Sequence, residues 1–234
     1  MRKLTCRLIA VAIASMAAFS APAIAADVSF SGFSHGSQTV TATLIAPNGA
    51  LAETVSAGGF DTVLNGGPSF ESYCVDLYQS IAFGAPPYTD YTLPGTAHVF
   101  ANANAYADLG RLFANAGPIV DAMHEAAFQI AVWEIAYETT GVYDLTNGSA
   151  TFIGGTADSS GALGVASGWL ASLGVGTGQS IQVLDSRGYQ DVIIAVPEPS
   201  TYALMAVGLL GLGYLVQRRR EASARKDFAS LTTA

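Results

Sequence analysis

The sequence predicts an α+β fold: a β-sandwich or barrel with an inserted helical subdomain, flanked by a signal peptide and a C-terminal transmembrane helix. Three observations carry this. Residues 26 to 83 alternate apolar and polar side chains between turns rich in Gly, Asn, Pro and Ser, which is strand patterning. From Ala97 the apolar period lengthens to that of a helix, and after Ser180 strand chemistry returns. Each end of the chain carries an apolar run bounded by basic residues, outside this pattern.

Residues 1 to 25 open with Arg2, Lys3 and Arg7, continue through an apolar run from Leu8 to Phe19, and end on Ala23-Ile24-Ala25. That order is a secretory signal peptide cut before Ala26, and the apolar run is too short for an uncleaved anchor. Residues 26 to 195 then suit one domain with a core of its own, without a long linker or repeat. Strands are expected at Val28 to Phe33, Gln38 to Ile45, Phe60 to Leu64, and over all or part of Phe70 to Phe83. Pro47-Asn48-Gly49 and Asn65-Gly66-Gly67-Pro68 supply turns between them. Tyr106, Leu109, Gly110 and Phe113 share one helical face, and Gly117-Pro118 ends that helix. Glu125 to Glu138 is apolar on nearly every side, so this second helix must be buried. Leu163 to Leu173, with Trp169, makes a third; Ser180 to Leu184 and Tyr189 to Ala195 are strands again.

Between the two ends, fifteen acidic residues stand against Arg111 and Arg187, a balance of −13, and there is no lysine. Nucleic acid and anionic lipid surfaces are poor partners for such a field. An acidic surface keeps an exported protein soluble. No Asp-x-Asp-x-Asp loop offers a calcium site. His35, His98, His124 and Cys74 lack zinc-ligand spacing, and no histidine sits in a nucleophile context with Cys74. The sequence therefore points to no cofactor, no metal and no enzymatic activity.

At the far end, Val196-Pro197-Glu198-Pro199-Ser200 precedes an apolar stretch from Thr201 to Val216, then Arg218, Arg219 and Arg220. Its sixteen residues reach about 24 Å as a helix, a marginal span for a ~30 Å hydrocarbon core. The arginines stay cytoplasmic by the positive-inside rule. Residues 196 to 220 resemble the C-terminal sorting signal of PEP-CTERM proteins. The resemblance implies a transmembrane sorting helix, transient anchoring in the inner membrane, and recognition and processing by a Gram-negative exosortase. It also implies delivery to the cell surface or extracellular matrix, with a link to exopolysaccharide and biofilm. Residues 221 to 234 form a polar tail, expected on the cytoplasmic side.

Cys6 leaves with the signal peptide, so Cys74 is the cysteine expected in the finished protein. A lone thiol in an oxidising compartment is unusual. Phe70, Ser72, Cys74, Asp76 and Tyr78 alternate with Tyr73, Val75 and Leu77, which places Cys74 on a strand. Gln129 lies inside the apolar helix, with Glu125, Ala126, Val132 and Trp133 as helical neighbours. Its carboxamide must find partners or carry a desolvation penalty of ~1–3 kcal/mol.

Tyr73-Cys74, followed by Gln129-Ile130-Ala131-Val132-Trp133, resembles the thioester domains of bacterial surface proteins. The resemblance implies that Cys74 supplies the sulfur and Gln129 the acyl group of an internal thioester, formed with loss of ammonia, and that amine-bearing groups on a partner surface attack it. Tyr73, Tyr78, Phe128, Val132 and Trp133 would wall off water, and the missing lysines would prevent self-acylation. The alternative is a non-covalent structural matrix protein in which Cys74 is buried and inert and Gln129 is a satisfied core amide.

Overall fold

The computed structural model describes residues 24–45, 49–93 and 98–196, together with Met205 and residues 207–214. Residues 24–196 hold nine strands and four helices among the described residues: β1 (Ile24–Phe33), β2 (Gln38–Leu44), β3 (Leu51–Ala57), β4 (Phe60–Leu64), β5 (Ser69–Cys74), β6 (Tyr88–Leu93), α1 (Ala105–Asn115), α2 (Ala122–Tyr137), β7 (Ala150–Ile153), α3 (Gly155–Ser160), α4 (Ala162–Ala171), β8 (Ile181–Leu184) and β9 (Val192–Ala195).

All pairings are antiparallel. One sheet runs in the order β6-β1-β4-β5-β9-β8 and a second in the order β3-β2-β7. The large sheet curls: Thr92 at one edge donates its backbone N–H to the Asp185 carbonyl, just past β8 at the other, at 2.9 Å. The result is a half-barrel. A register shift between Phe30 and Gly32 bends β1 within it, as bulges do.

α2 is central. Every residue from Glu125 to Tyr137 is buried, and the helix packs against α1, α3 and α4, against β5 of the large sheet, and against β2, β3 and β7 of the small one. A helix apolar all round requires this. Asp121 caps its N-terminus, accepting the His124 N–H at 2.9 Å. The expected inserted helical subdomain is therefore not a unit beside the sheets; its second helix fills the space between them. Trp133 stacks on Phe152 of β7 at a ring separation of 6.0 Å.

Several expectations need correction. Of the range from Phe70 to Phe83 only the first part is strand, ending at Cys74, so the alternation through Asp76 and Tyr78 is not strand. There the Asp76 carboxylate captures the Tyr78 N–H at 2.8 Å, a side-chain turn that competes with a ladder. β3, β6, β7 and α3 were not anticipated. β3 and β6 are edge strands with little period-2 burial, and the others are short. The acidic residues are not all a solvated coat: Asp76, Asp108, Glu125, Glu134, Glu138 and Asp191 are buried.

The expected signal peptide lies outside the described residues up to position 23, while Ile24 and Ala25 pair with Leu93 and Thr92 in β1. Among the described residues no helix is long and apolar enough to cross a membrane. Residues 207–214 are helical and exposed, and the rest of the expected span, apart from Met205, lies outside the described residues, as do Pro197, Glu198, Pro199, Arg218, Arg219, Arg220 and the tail.

Candidate functional site

The two motifs meet at the end of β5. β4 begins at Phe60, opposite Ser72, so this edge of β5 has lost its strand partner two residues later at Cys74. The Gln129 side chain from α2 takes the vacant place. Its Oε1 accepts the Cys74 N–H at 2.9 Å and its Nε2 donates to the Cys74 carbonyl at 2.8 Å. Both residues are fully buried. On its other edge β5 pairs with β9, and Val75 donates to the Asp191 carbonyl at 2.9 Å.

The Cys74 thiol donates to the Asp76 carbonyl at 3.2 Å. Burial pushes this thiol well above its ordinary range, and the Trp133 indole and the Asp76 backbone pull it down without prevailing. Among the described residues the buried Trp133 N–H has no hydrogen-bond partner. Burial thus keeps the thiol protonated.

Of the expected wall, Tyr73, Phe128, Val132 and Trp133 are buried and Tyr78 is half-buried. Tyr73 and Phe128 pack ring on ring at 4.4 Å, with Phe113 against both at 5.9 and 4.9 Å. Tyr78 meets Tyr137 at 6.1 Å instead, and the Tyr137 hydroxyl accepts the Leu77 N–H at 2.7 Å. Sequence reasoning missed Tyr137 and Gln190, whose side-chain amide donates to the Asp76 carbonyl at 3.1 Å. Tyr137 lies two turns beyond Gln129 on the same helix, a spacing that could have flagged it.

Trp133 also lines a groove of about 270 Å³, together with Phe33, Phe60, Leu77, Phe83 and Glu53. A smaller cavity of about 90 Å³ is bordered by Val75, Asp76, His98 and Tyr137. The groove reaches the Trp133 indole but is not lined by Cys74.

Residues 195–220 match the PEP-CTERM protein-sorting motif. The motif points to an exported protein that an exosortase sorts and processes, with delivery towards the cell surface. It covers the C-terminal segment and leaves the half-barrel unassigned. No curated protein and no solved structure matches the chain.

Two clusters of imidazole and carboxylate lie outside the Cys74–Gln129 contact: His35 with Glu71 and Glu125, and His98 with Asp185 and Asp191. In the second, His98 Nδ1 stands 3.1 Å from Asp191 Oδ2. Burial pulls this imidazole down, but Asp191 and Asp185 outweigh it and hold the group above its ordinary value. His124 serves the α2 cap, with its ring 2.8 Å from Asp121 Oδ1.

Proposed function

We propose that this chain is an exported surface or extracellular-matrix protein whose Cys74 and Gln129 close an internal thioester for covalent attachment to amine-bearing partners. The observation that supports it is the meeting of a buried cysteine with a fully buried carboxamide from distant parts of the chain. For the bond to form, Sγ attacks Gln129 Cδ, the thiol proton passes to Nε2, the Cδ–Nε2 bond breaks and ammonia leaves; no electrons are exchanged. The Cys74 N–H already rests on Oε1, where charge develops as the carbonyl becomes tetrahedral. An arriving primary amine reverses the logic: its nitrogen bonds to Cδ of residue 129, the C–S bond breaks, and the proton the amine loses ends on the departing Cys74 thiolate.

The groove beside Trp133 is the proposed approach for the acceptor, with aromatic walls and Glu53 to attract an ammonium group. Sorting would anchor the chain transiently in the inner membrane before exosortase processing, and the destination ties it to exopolysaccharide and biofilm. Incubating the exported protein with methylamine should add one amine at residue 129 and expose one thiol together. Cys74→Ala should block both. A titratable thiol present before any amine is added, with no adduct afterwards, contradicts the thioester.

A second reading has its own support. Both ends of the Gln129 carboxamide are already hydrogen-bonded and the thiol is fully buried, which also describes a non-covalent matrix protein with an inert cysteine. The methylamine experiment separates the two.

A further inference from the structure

One turn before Gln129 on α2, and three residues before Cys74 on β5, the same two elements build a second polar site. His35, from the loop after β1, brings Nδ1 within 2.7 Å of Glu125 Oε1 and 3.8 Å of Glu71 Oε1. Each of the three residues offers a ligand atom within 4.8 Å of the others. Glu125 is fully buried, and its Oε2 accepts the Gly59 N–H at 2.9 Å. Gly59 is required here, since a Cβ would lie 2.6 Å from Glu125 Oε2 and 2.9 Å from Glu71 Oε1.

The independent observation is Tyr73. It is 1% exposed, and its hydroxyl has no hydrogen-bond partner, as is also true of Glu71 Oε1. The Cβ that Gly59 lacks would meet Tyr73 Cε1 at 3.0 Å as well as both carboxylates, so this edge of the ring borders the cluster. Two carboxylates, that of Glu125 fully buried, beside an unsatisfied buried phenol are an expensive arrangement if nothing sits among them.

We propose that His35, Glu71 and Glu125 bind a divalent transition ion of the zinc class. One imidazole nitrogen and two carboxylate oxygens are the donors such ions take. The His35 side chain is 47% exposed, which leaves the solvent side open for water as a fourth ligand. Gly59 and Tyr73 form the supporting shell that orients the carboxylates. An ion here fastens β5 to α2 beside Cys74 and Gln129, and it rests on its own geometry rather than on the thioester.

The test is to strip the exported protein with chelator, titrate it with zinc chloride by calorimetry, and follow its unfolding temperature. One equivalent should bind per chain and raise that temperature. His35→Asn and Glu71→Gln should each lower the affinity by more than about tenfold, with circular dichroism unchanged, while His98→Asn should not. Since His35 is half-exposed, its variant keeps the test decisive if Glu71→Gln fails to fold. Absence of stoichiometric binding, binding that survives His35→Asn, or a loss confined to His98→Asn would each overturn the site.

Discussion

In a Cys74→Ala background, where Gln129 keeps its carboxamide, a further Gln129→Ala change strips the partner from two buried backbone groups at the end of β5. The residue 74 N–H and C=O then have neither β4 nor solvent to turn to. Each unsatisfied buried group costs about 1–3 kcal/mol, so the pair should lose about 2–6 kcal/mol. That is a large share of the ~5–15 kcal/mol that holds a domain folded. Chemical denaturation with far-ultraviolet circular dichroism reads the difference. Gln129→Glu in the same background sharpens it: a protonated carboxyl can accept from one group and donate to the other, whereas a carboxylate faces the residue 74 carbonyl with a charge. Burial raises the folded-state pKa of the introduced carboxyl, so its stability should match the parent in acid and fall as pH rises through that value. A Gln129→Ala loss below about 1 kcal/mol would refute the hydrogen-bonded placement of Gln129.

Glu134 is fully buried, with Oε2 unpartnered, and burial, then Glu138 and Asp144, push its carboxyl from 4.5 up to about 8. The folded state binds the extra proton, so stability should fall as pH rises from about 4.5 to about 8, by up to roughly 1.4 kcal/mol per pH unit. Glu134→Gln should flatten that slope in unfolding midpoints, and an unchanged slope would contradict the assignment. Gly155 has φ +69°, and a Cβ there would fall 2.2 Å from the Thr39 carbonyl, so Gly155→Ala should destabilise by about 2 kcal/mol or more, and a neutral thermal shift would contradict the docking of α3 on β2. For sorting, a tag inserted before Ser180 and another after Thr233 should separate into different cell fractions. Both on one membrane-bound species, in a strain with its exosortase, would contradict processing.

The strands at Val28, Gln38 and Phe60 and the three larger helices were legible because each has one strong period or an unbroken apolar surface. β3 was not, since Ala52, Glu53 and Thr54 are all exposed on an edge strand paired only with β2. The end of β5 was misjudged because alternation continues through Asp76 and Tyr78, while the backbone obeys the Asp76 side-chain turn. At the site, the type and spacing of Cys74 and Gln129 brought the pair to notice; that Gln129 completes a sheet edge is a matter of where β4 begins, which no local pattern encodes. The His35, Glu71 and Glu125 cluster is invisible to spacing rules for the same reason: its members come from a loop, a strand and a helix far apart in sequence.

The most direct measurement is the intact mass of the protein collected from its exporting host, never exposed to amine or high pH, with a thiol count on the same sample. A thioester between Cys74 and Gln129 should leave the processed chain lighter than its sequence by one ammonia, with no titratable thiol even after denaturation at neutral pH. A full sequence mass with one titratable thiol would contradict the covalent reading and leave Cys74 as a buried, inert side chain.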